Sequence, residues 1–432
     1  MGVAAGRAGL WIRQVTLAPI LQASEPLLFG LAALWRRLLF RTTFIAITGS
    51  VGKTTTKELL SDILAARART FRSLGNQNYG FVLALNILRV RPWHRFAVME
   101  VGIGKPGDMR RFARALRPDV AVILAVARTH TTAFGDLDQC AAEKALLLES
   151  LRPGGLAVLN GDDPRVAAMA RSARFRACLA GTSPTFDLWA DQVSSRWPNR
   201  LSFLAHAGGE TCRIQTQQLG SHWLPAITAA LSVAKHVGVP LEESAGVLRG
   251  SAPYTARLEP VPLPCGAVLV RDDYSASIDT FEASLKFLRE AQAQRRILVF
   301  TDISDSGGNR HLRLRSLAAA VSAWLDVLIL CGDEHVYGRR KAIEAGIPPE
   351  SAHGFQTLQE AAHFLRSELR PGDLVLLKGR TTDHATRVFF ALFGTVACRR
   401  AYCPKTMLCD GCWELGFESE TGYRPPSIGL RV

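Results

Sequence analysis

Residues 43–60 read TFIAITGSVGKTTTKELL, and no other stretch restricts the fold as tightly. An apolar, β-rich run from Thr43 to Ile47 reads as a buried strand, and Lys57 to Ala65 reads as a helix. The turn between them is Thr48-Gly49-Ser50-Val51-Gly52-Lys53-Thr54-Thr55. Gly49 and Gly52 allow backbone N–H groups to curl around phosphate oxygens at a helix N-terminus, where the dipole favours negative charge. In such a loop Lys53 serves the β and γ phosphates and the Thr54 hydroxyl serves magnesium, with Ser50 and Thr55 completing the nucleotide cradle. The longer phosphate-loop pattern places a glycine where this chain has Ile47. A plain strand–turn–helix with glycines is the competing reading.

From this loop onward short apolar runs alternate with helical stretches: FIAITG, KTTTKELLSDILAAR, FAVMEVG, VAVILAVA, CAAEKALLLESL, GLAVLN. Such alternation implies a parallel sheet covered on both faces. GSAPYTARLEP, with Pro253 and Pro260, breaks the rhythm as a linker, and AVLVRDD, RRILVFTD, DVLILCG and DLVLLKG start a second series. The expected class is α/β: a central phosphate-loop ATPase domain over 43–252 and a smaller Rossmann-like α/β domain over 253–395. An apolar and basic helical segment (1–42) precedes them, and a cysteine-bearing tail (396–432) follows.

The formal charge of +14 is carried mostly by arginine and is scattered, which suits anionic ligands such as phosphates. No concentrated basic patch marks a nucleic-acid protein. Cys140, Cys178, Cys212, Cys265 and Cys331 are isolated along the chain, as in the reducing cytoplasm. Cys398, Cys403, Cys409 and Cys412 are clustered, and their spacing suggests a structural four-thiolate zinc site, with free thiols or an iron–sulfur cluster as alternatives. Trp413, Leu415 and Phe417 would pack that knuckle onto the second domain. The N-terminal segment is apolar but broken by Arg13, Pro19 and Glu25, so it makes neither a membrane span nor a signal peptide. It reads either as a helix packed on the body or as an interfacial helix that makes the protein peripheral to the inner membrane.

The short loop T-G-[ST]-x-G-K-T resembles that of the Mur ligase family, in particular the branch that adds D-alanyl-D-alanine to a UDP-muramoyl tripeptide. The likeness continues through GNQNYG (75–80), AVMEVGIGKPGDM (97–109), RTHTTAFGDLDQCAAEKALL (128–147), GGLAVLNGDDP (154–164) and TARLEP (255–260). RDDYSASID (271–279), VFTDISDSG (299–307) and GDLVLLKG (372–379) extend it over most of 43–385. The resemblance implies that Glu100 and Thr54 hold a magnesium between the β and γ phosphates. It implies that His130 binds a second magnesium, helped by Lys144 as a carbamate. Asn160 and Asp162 would position the nucleotide, Arg257 would reach the γ phosphate, and Asp272 and Tyr274 would face the nucleotide from the second domain. Lys144 lies in an apolar helical stretch, and burial favours the uncharged amine that carbamate formation needs. Pairing of Lys144 with Glu143 or Glu149 is the structural alternative.

The chain also departs from the family. The loop begins within the first fifty residues, so the domain that grips the UDP sugar is expected to be missing. DDxYNANP becomes RDDYSASI with Ser275 and Ser277, GxHNxxNA becomes Gly220-Ser221-His222-Trp223-Leu224-Pro225-Ala226, and KGSR becomes Lys378-Gly379-Arg380-Thr381. Phosphate-handling groups are kept while substrate-handling amides are lost. The expected enzyme is therefore an ADP-forming ligase using ATP and Mg2+. It joins a small-molecule carboxylate to an amino acid or dipeptide amine through an acyl phosphate, on a substrate other than the usual one. The cell-wall precursor ligase is one rival, and a nucleotide-binding interaction subunit that has lost turnover is another.

Overall fold

The computed structural model describes residues 24–75, 78, 80–127, 134–171, 175–303, 309–400, 403–405 and 407–423. It divides into two compact units. One comprises Met1–Ser194, Ser202–Gln217 and His222–Ala252, the other Ser195–Leu201, Gln218–Ser221 and Pro253–Val432.

The first unit opens with α1 (Glu25–Leu38), β1 (Thr43–Thr48), α2 (Lys53–Ala65), β2 (Thr70–Arg72), α3 (Phe81–Arg89), β3 (Phe96–Glu100), α4 (Asp108–Leu116) and β4 (Val120–Ile123). It continues through α5 (Leu137–Ala145), β5 (Leu156–Asn160), α6 (Pro164–Ala167), β6 (Arg176–Gly181), β7 (Leu188–Ser194), β8 (Ser202–Ala207) and β9 (Glu210–Gln215), ending with α7 (Leu224–His236) and α8 (Leu241–Gly250). Its sheet runs β2-β3-β1-β4-β5-β6-β7-β8-β9. The strands from β2 to β7 pair in parallel. Consequently β3, β4 and β5 are buried along their whole length, as a sheet covered on both faces requires. The chain crosses from β3 over β1 to β4, so the carboxyl end of β1 lies at a reversal of strand order, the position where open α/β sheets bind ligands.

The antiparallel pairs β7–β8 and β8–β9 form an extension that the strand–helix rhythm did not announce. At the other end of the unit, α1 packs through Phe29, Ala32 and Arg36, all buried. The Arg36 guanidinium donates to the Leu116 carbonyl at 2.8 Å and to Asp119 at 2.9 Å. Of the two readings of this segment, the packed helix therefore describes one face of α1.

The second unit contains β10 (Glu259–Pro262), β11 (Val268–Asp272), α9 (Ile278–Glu290), β12 (Arg295–Phe300), α10 (Arg310–Val321), β13 (Val327–Cys331), α11 (His335–Glu344) and β14 (Ala352–Phe355). It ends with α12 (Leu358–Glu368), β15 (Asp373–Lys378), α13 (Thr386–Ala391), β16 (Gly394–Val396) and β17 (Phe417–Ser419). The sheet order is β10-β11-β15-β12-β13-β14, parallel except for β10.

The cysteine tail belongs to this body. β17 pairs with β16, and Cys409 and Leu415 share a core with Phe389 and Phe390. Phe417 meets Phe390 at 4.9 Å between ring centres, whereas Trp413 points outward and is 69% exposed. Two of the three apolar residues expected to pack the knuckle do so; Trp413 does not, because the turn Trp413–Leu415 can direct only one of its ends inward.

Candidate active site

The loop after β1 has the shape that its sequence dictates. Gly52 takes a left-handed φ of 84° and caps α2, whose first residue is Lys53. Gly49 lies so close to the next strand that a Cβ there would meet the Leu124 Cβ at 2.9 Å. The Ser50 amide donates to the Ala125 carbonyl at 2.7 Å, and its hydroxyl accepts from the Ala127 amide at 2.9 Å, tying the loop to the segment after β4. Lys53 folds its ammonium back onto the Gly49 carbonyl at 2.7 Å and the Ser50 carbonyl at 3.3 Å. Thr54 and Thr55, each 3% exposed, start the helix behind the loop.

Glu100 ends β3 directly beside Ile47, in the register Ile47↔Glu100. It is 2% exposed. Its Oε1 accepts from Asn78 Nδ2 at 2.6 Å, while among the described residues Oε2 has no hydrogen-bond partner and lies 3.9 Å from Lys57 Nζ. A buried carboxylate oxygen without a donor is costly unless a cation completes it. Thr54, in the first turn of α2, stands at the same loop and is likewise buried.

Asn78 and Lys57 are the two polar groups here that the sequence reading did not assign. Lys57 is fully buried and donates to the carbonyls of Ser73 at 2.9 Å and Gly75 at 2.6 Å, which anchors the segment carrying Asn78. Its position one turn after Lys53, inside a helix that must face a sheet, is the available signal.

Lys144, near the end of α5, is 1% exposed. Its ammonium meets the Cys140 sulfur at 3.2 Å. Neither carboxylate considered for it is its partner. Glu143 Oε1 accepts from the Gly107 and Met109 amides at the start of α4, both at 2.9 Å, and Glu149 lies 3.9 Å from Arg110. Among the described residues no acid pairs with Lys144, which suits a lysine reserved for other chemistry. His130 lies outside the described residues.

At the end of β5, the Asn160 side chain accepts from the Asp162 amide at 3.1 Å, and Asp162 accepts from the Thr182 amide at 3.0 Å and its hydroxyl at 2.8 Å. Both residues therefore shape the turn between β5 and α6, and Asp162 ties it to the segment after β6. Asp163, not singled out from sequence, caps α6 and accepts from the Val126 amide at 2.8 Å, linking that turn to the segment after β4.

In the second unit, Asp272 and Tyr274 follow β11. Asp272 Oδ2 accepts from Lys378 Nζ and Ser284 Oγ, both at 2.5 Å, and Lys378 also donates to the Ser275 carbonyl at 2.8 Å. Burial pushes the Lys378 ammonium down from its usual range, and Asp272 acts against this. The Arg257 guanidinium stacks 4.6 Å from the Tyr274 ring centre, and among the described residues its Nε has no hydrogen-bond partner. Arg257 is flanked by Ala256 (φ 59°) and Leu258 (φ 48°), two buried non-glycine residues in left-handed backbone. Such strain persists only where the surroundings enforce it. Thr381 takes up the Tyr274 carbonyl at 2.5 Å, while Arg380 pairs with Asp383, so the shifted arginine of Lys378-Gly379-Arg380-Thr381 serves its own turn.

The tail's four thiols and His384 line one small cavity. The expected zinc ligand set is nonetheless not assembled: among the described residues no three His, Cys, Asp or Glu side chains are placed to hold a metal ion. Three of the four sulfurs instead face a separate neighbour each. Lys405 Nζ is 3.3 Å from Cys412, Arg387 Nη1 is 4.0 Å from Cys398, and His384 Nδ1 is 3.4 Å from Cys409.

These arrangements agree with what the chain is similar to. Residues 47–234 match the Mur ligase middle domain and 256–381 the Mur ligase glutamate ligase domain. The UDP-N-acetylmuramoyl-tripeptide–D-alanyl-D-alanine ligase of Mycobacterium tuberculosis is 28% identical over 376 residues, covering 82% of this chain and 74% of that protein. The Escherichia coli K12 protein of the same name is 25% identical over 329 residues, covering 74% and 71%. A crystal structure of MurF from Acinetobacter baumannii superposes with a TM-score of 0.77 at 25% identity, covering 84% of this chain and 79% of that one. The Thermotoga maritima MurF ligase in complex with ADP shares the fold, with a TM-score of 0.74 at 22% identity and coverage of 85% and 83%. Loop, buried glutamate, buried lysine and two-unit order thus coincide with two family domains in sequence, and the chain belongs to the Mur ligase family of ATP-dependent, ADP-forming ligases.

Proposed function

We propose that this MurF-like ligase phosphorylates a carboxylate with ATP and passes the acyl phosphate to an amine, leaving an amide, ADP and phosphate. The observation that carries the reading is Glu100, whose donorless Oε2 lies buried beside the phosphate loop. With Thr54 it would hold magnesium, and the metal would neutralise charge on the transferring phosphoryl group. Lys53 would leave its two loop carbonyls for the β and γ oxygens. Lys144, as a carbamate, would join His130 on a second magnesium, and Asn160 and Asp162 would keep the turn beside the nucleotide in shape. Arg257, with Asp272 and Tyr274, would serve the nucleotide from the second unit.

We place the amine substrate outside D-alanyl-D-alanine. Ser277 accepts from the Thr280 amide as the cap of α9, and Ser275 gives its carbonyl to Lys378. At these positions the related pattern carries asparagines, whose longer amides reach groups that a serine does not. A site that hydrogen-bonds its substrate loses selectivity steeply when such partners are removed. The names of the relatives favour the rival, a precursor ligase taking a UDP-muramoyl tripeptide and D-alanyl-D-alanine. Phosphate release over pairs of carboxylates and amines, with product mass, separates the two. We expect release only with both partners present and at least tenfold faster with an amine other than D-alanyl-D-alanine; the reverse preference supports the precursor ligase. Nucleotide binding without release under any pair would remove the ligase reading.

For the tail we infer a structural zinc that draws the thiols together. All four sulfurs border a cavity of about 10 Å³, room for one water-sized sphere, and none is in a disulfide. Four thiolates around Zn2+ leave a charge of about −2, which the ammonium of Lys405 and the guanidinium of Arg387 are placed to balance. Elemental analysis of the purified chain is expected to return one zinc per chain. Protein free of zinc, or carrying iron and labile sulfide, ends this assignment.

A further inference from the structure

The face of α1 opposite its buried side carries Leu27, Leu31, Leu34 and Leu38, at 66%, 48%, 57% and 61% exposure. Their spacing of four, three and four residues places them within one narrow stripe along the helix. Phe40 follows at 72%, and Trp93, at 59%, lies on the turn whose His94 carbonyl accepts from Thr42 just beyond α1. Five of the ten exposed large hydrophobics among the described residues therefore fall in one short segment, with a sixth beside its end. Single exposed leucines are ordinary, but a contiguous stripe marks a contact surface.

The stripe does not result from fraying. Arg36 is held by Leu116 and Asp119, Trp35 Nε1 donates to the Val90 carbonyl at 2.9 Å, and Phe29 stacks on Phe112 at 5.5 Å. The helix is bolted down by one face and presents leucines on the other. What flanks the leucines is cationic: Arg37 and Arg41 are exposed, and Arg95 donates to the Arg41 carbonyl at 2.9 Å. Glu25, the one acid in α1, turns to Arg111 at 3.1 Å. Residues 1–23, which lead into α1, add Arg7 and Arg13 and no acid.

We propose that α1 is the docking surface by which this ligase lies on an anionic lipid surface, its leucine stripe among the acyl chains and Phe40, Trp93 and the arginines at headgroup level. Charge selects this occupant, since arginines bordering apolar and aromatic side chains match a negative leaflet. A second copy fits less well. Two such faces brought together would set the exposed Arg37 and Arg41 of one copy against those of the other. No helix of the described residues is long and apolar enough to cross a membrane.

The test is co-sedimentation of the full chain with vesicles of phosphatidylcholine alone or with about a third phosphatidylglycerol. We expect pelleting at least tenfold stronger on the anionic vesicles, weakening as salt is raised. L31E/L34E is expected to abolish it, and R37E/R41E to reduce it at least tenfold, each with an unchanged melting temperature because these side chains are already in water. Wild-type protein that stays in the supernatant with both vesicles overturns the proposal. So does a dimer by light scattering that L31E/L34E splits, which would assign the stripe to a second copy. Neither outcome touches the ligase reading, because nucleotide binding is measured separately.

Discussion

Lys53→Ala is expected to lower substrate-dependent phosphate release by about 10³-fold, the scale seen when one group aimed at developing charge is removed from a site. The physical reason lies in the loop. Lys53 is held by the Gly49 and Ser50 carbonyls, so its ammonium is folded over the loop itself. A phosphate oxygen arriving there takes over that charge without any rearrangement of backbone. Alanine removes the charge and leaves the loop fold intact, because the tie to the β4 side runs through Ser50. The check is single-turnover phosphate release alongside a melting curve. A variant with unchanged melting and wild-type release would remove the phosphate-loop assignment, whichever substrate is used.

The largest stability effect is expected from Asp410→Ala, far along the chain in the cysteine tail. Arg271, on β11 and 2% exposed, meets Asp410 through two hydrogen bonds at 2.6 and 2.8 Å. Its guanidinium also stacks 4.4 Å from the Phe389 ring centre. Asp273 at 3.4 Å and Glu259 at 3.7 Å are the remaining carboxylates. Breaking a buried pair by removing one member leaves a desolvated charge and costs about 3–5 kcal/mol. We expect about 3 kcal/mol here, the lower end, since two acids remain near the arginine. Urea unfolding is the measurement. Arg271→Met with Asp410→Leu should recover most of the loss, because replacing both partners removes the uncompensated charge. A loss under about 1 kcal/mol for Asp410→Ala would show that Asp273 and Glu259 suffice.

Both predictions involve residues of different legibility. The phosphate loop could be read directly, because its chemistry is local: two glycines, a lysine and a threonine occupy consecutive positions at the start of a helix. The strand–helix alternation was legible for the same reason, since buried parallel strands are continuous apolar runs. Hairpin-like extensions such as β7 to β9 were not, as their alternating and exposed strands give a weaker signal.

Side-chain partners were least legible of all. Glu143 could be placed beside Lys144 on a helix, yet it faces the start of α4, because neighbours in sequence point in different directions from a helix. Arg271 stands in a strand as if it were an exposed charge, and the carboxylate that takes its two hydrogen bonds lies 139 positions later. Likewise the sequence of α1 shows apolar residues on more than one face, whereas the fold decides that Phe29 and Ala32 are buried and the leucine stripe is left in water.

The amino-acid sequence by itself determined the α/β class, the phosphate loop and the order of two nucleotide-type sheets, since each depends on contacts within a dozen residues. Tertiary structure alone decided that Glu100 keeps a donorless oxygen, that Lys144 has no acid among the described residues, that Asp410 neutralises Arg271, and that a leucine stripe faces outward. Those outcomes depend on which distant groups share a desolvated space, and burial is a property of the packed chain rather than of any stretch of it.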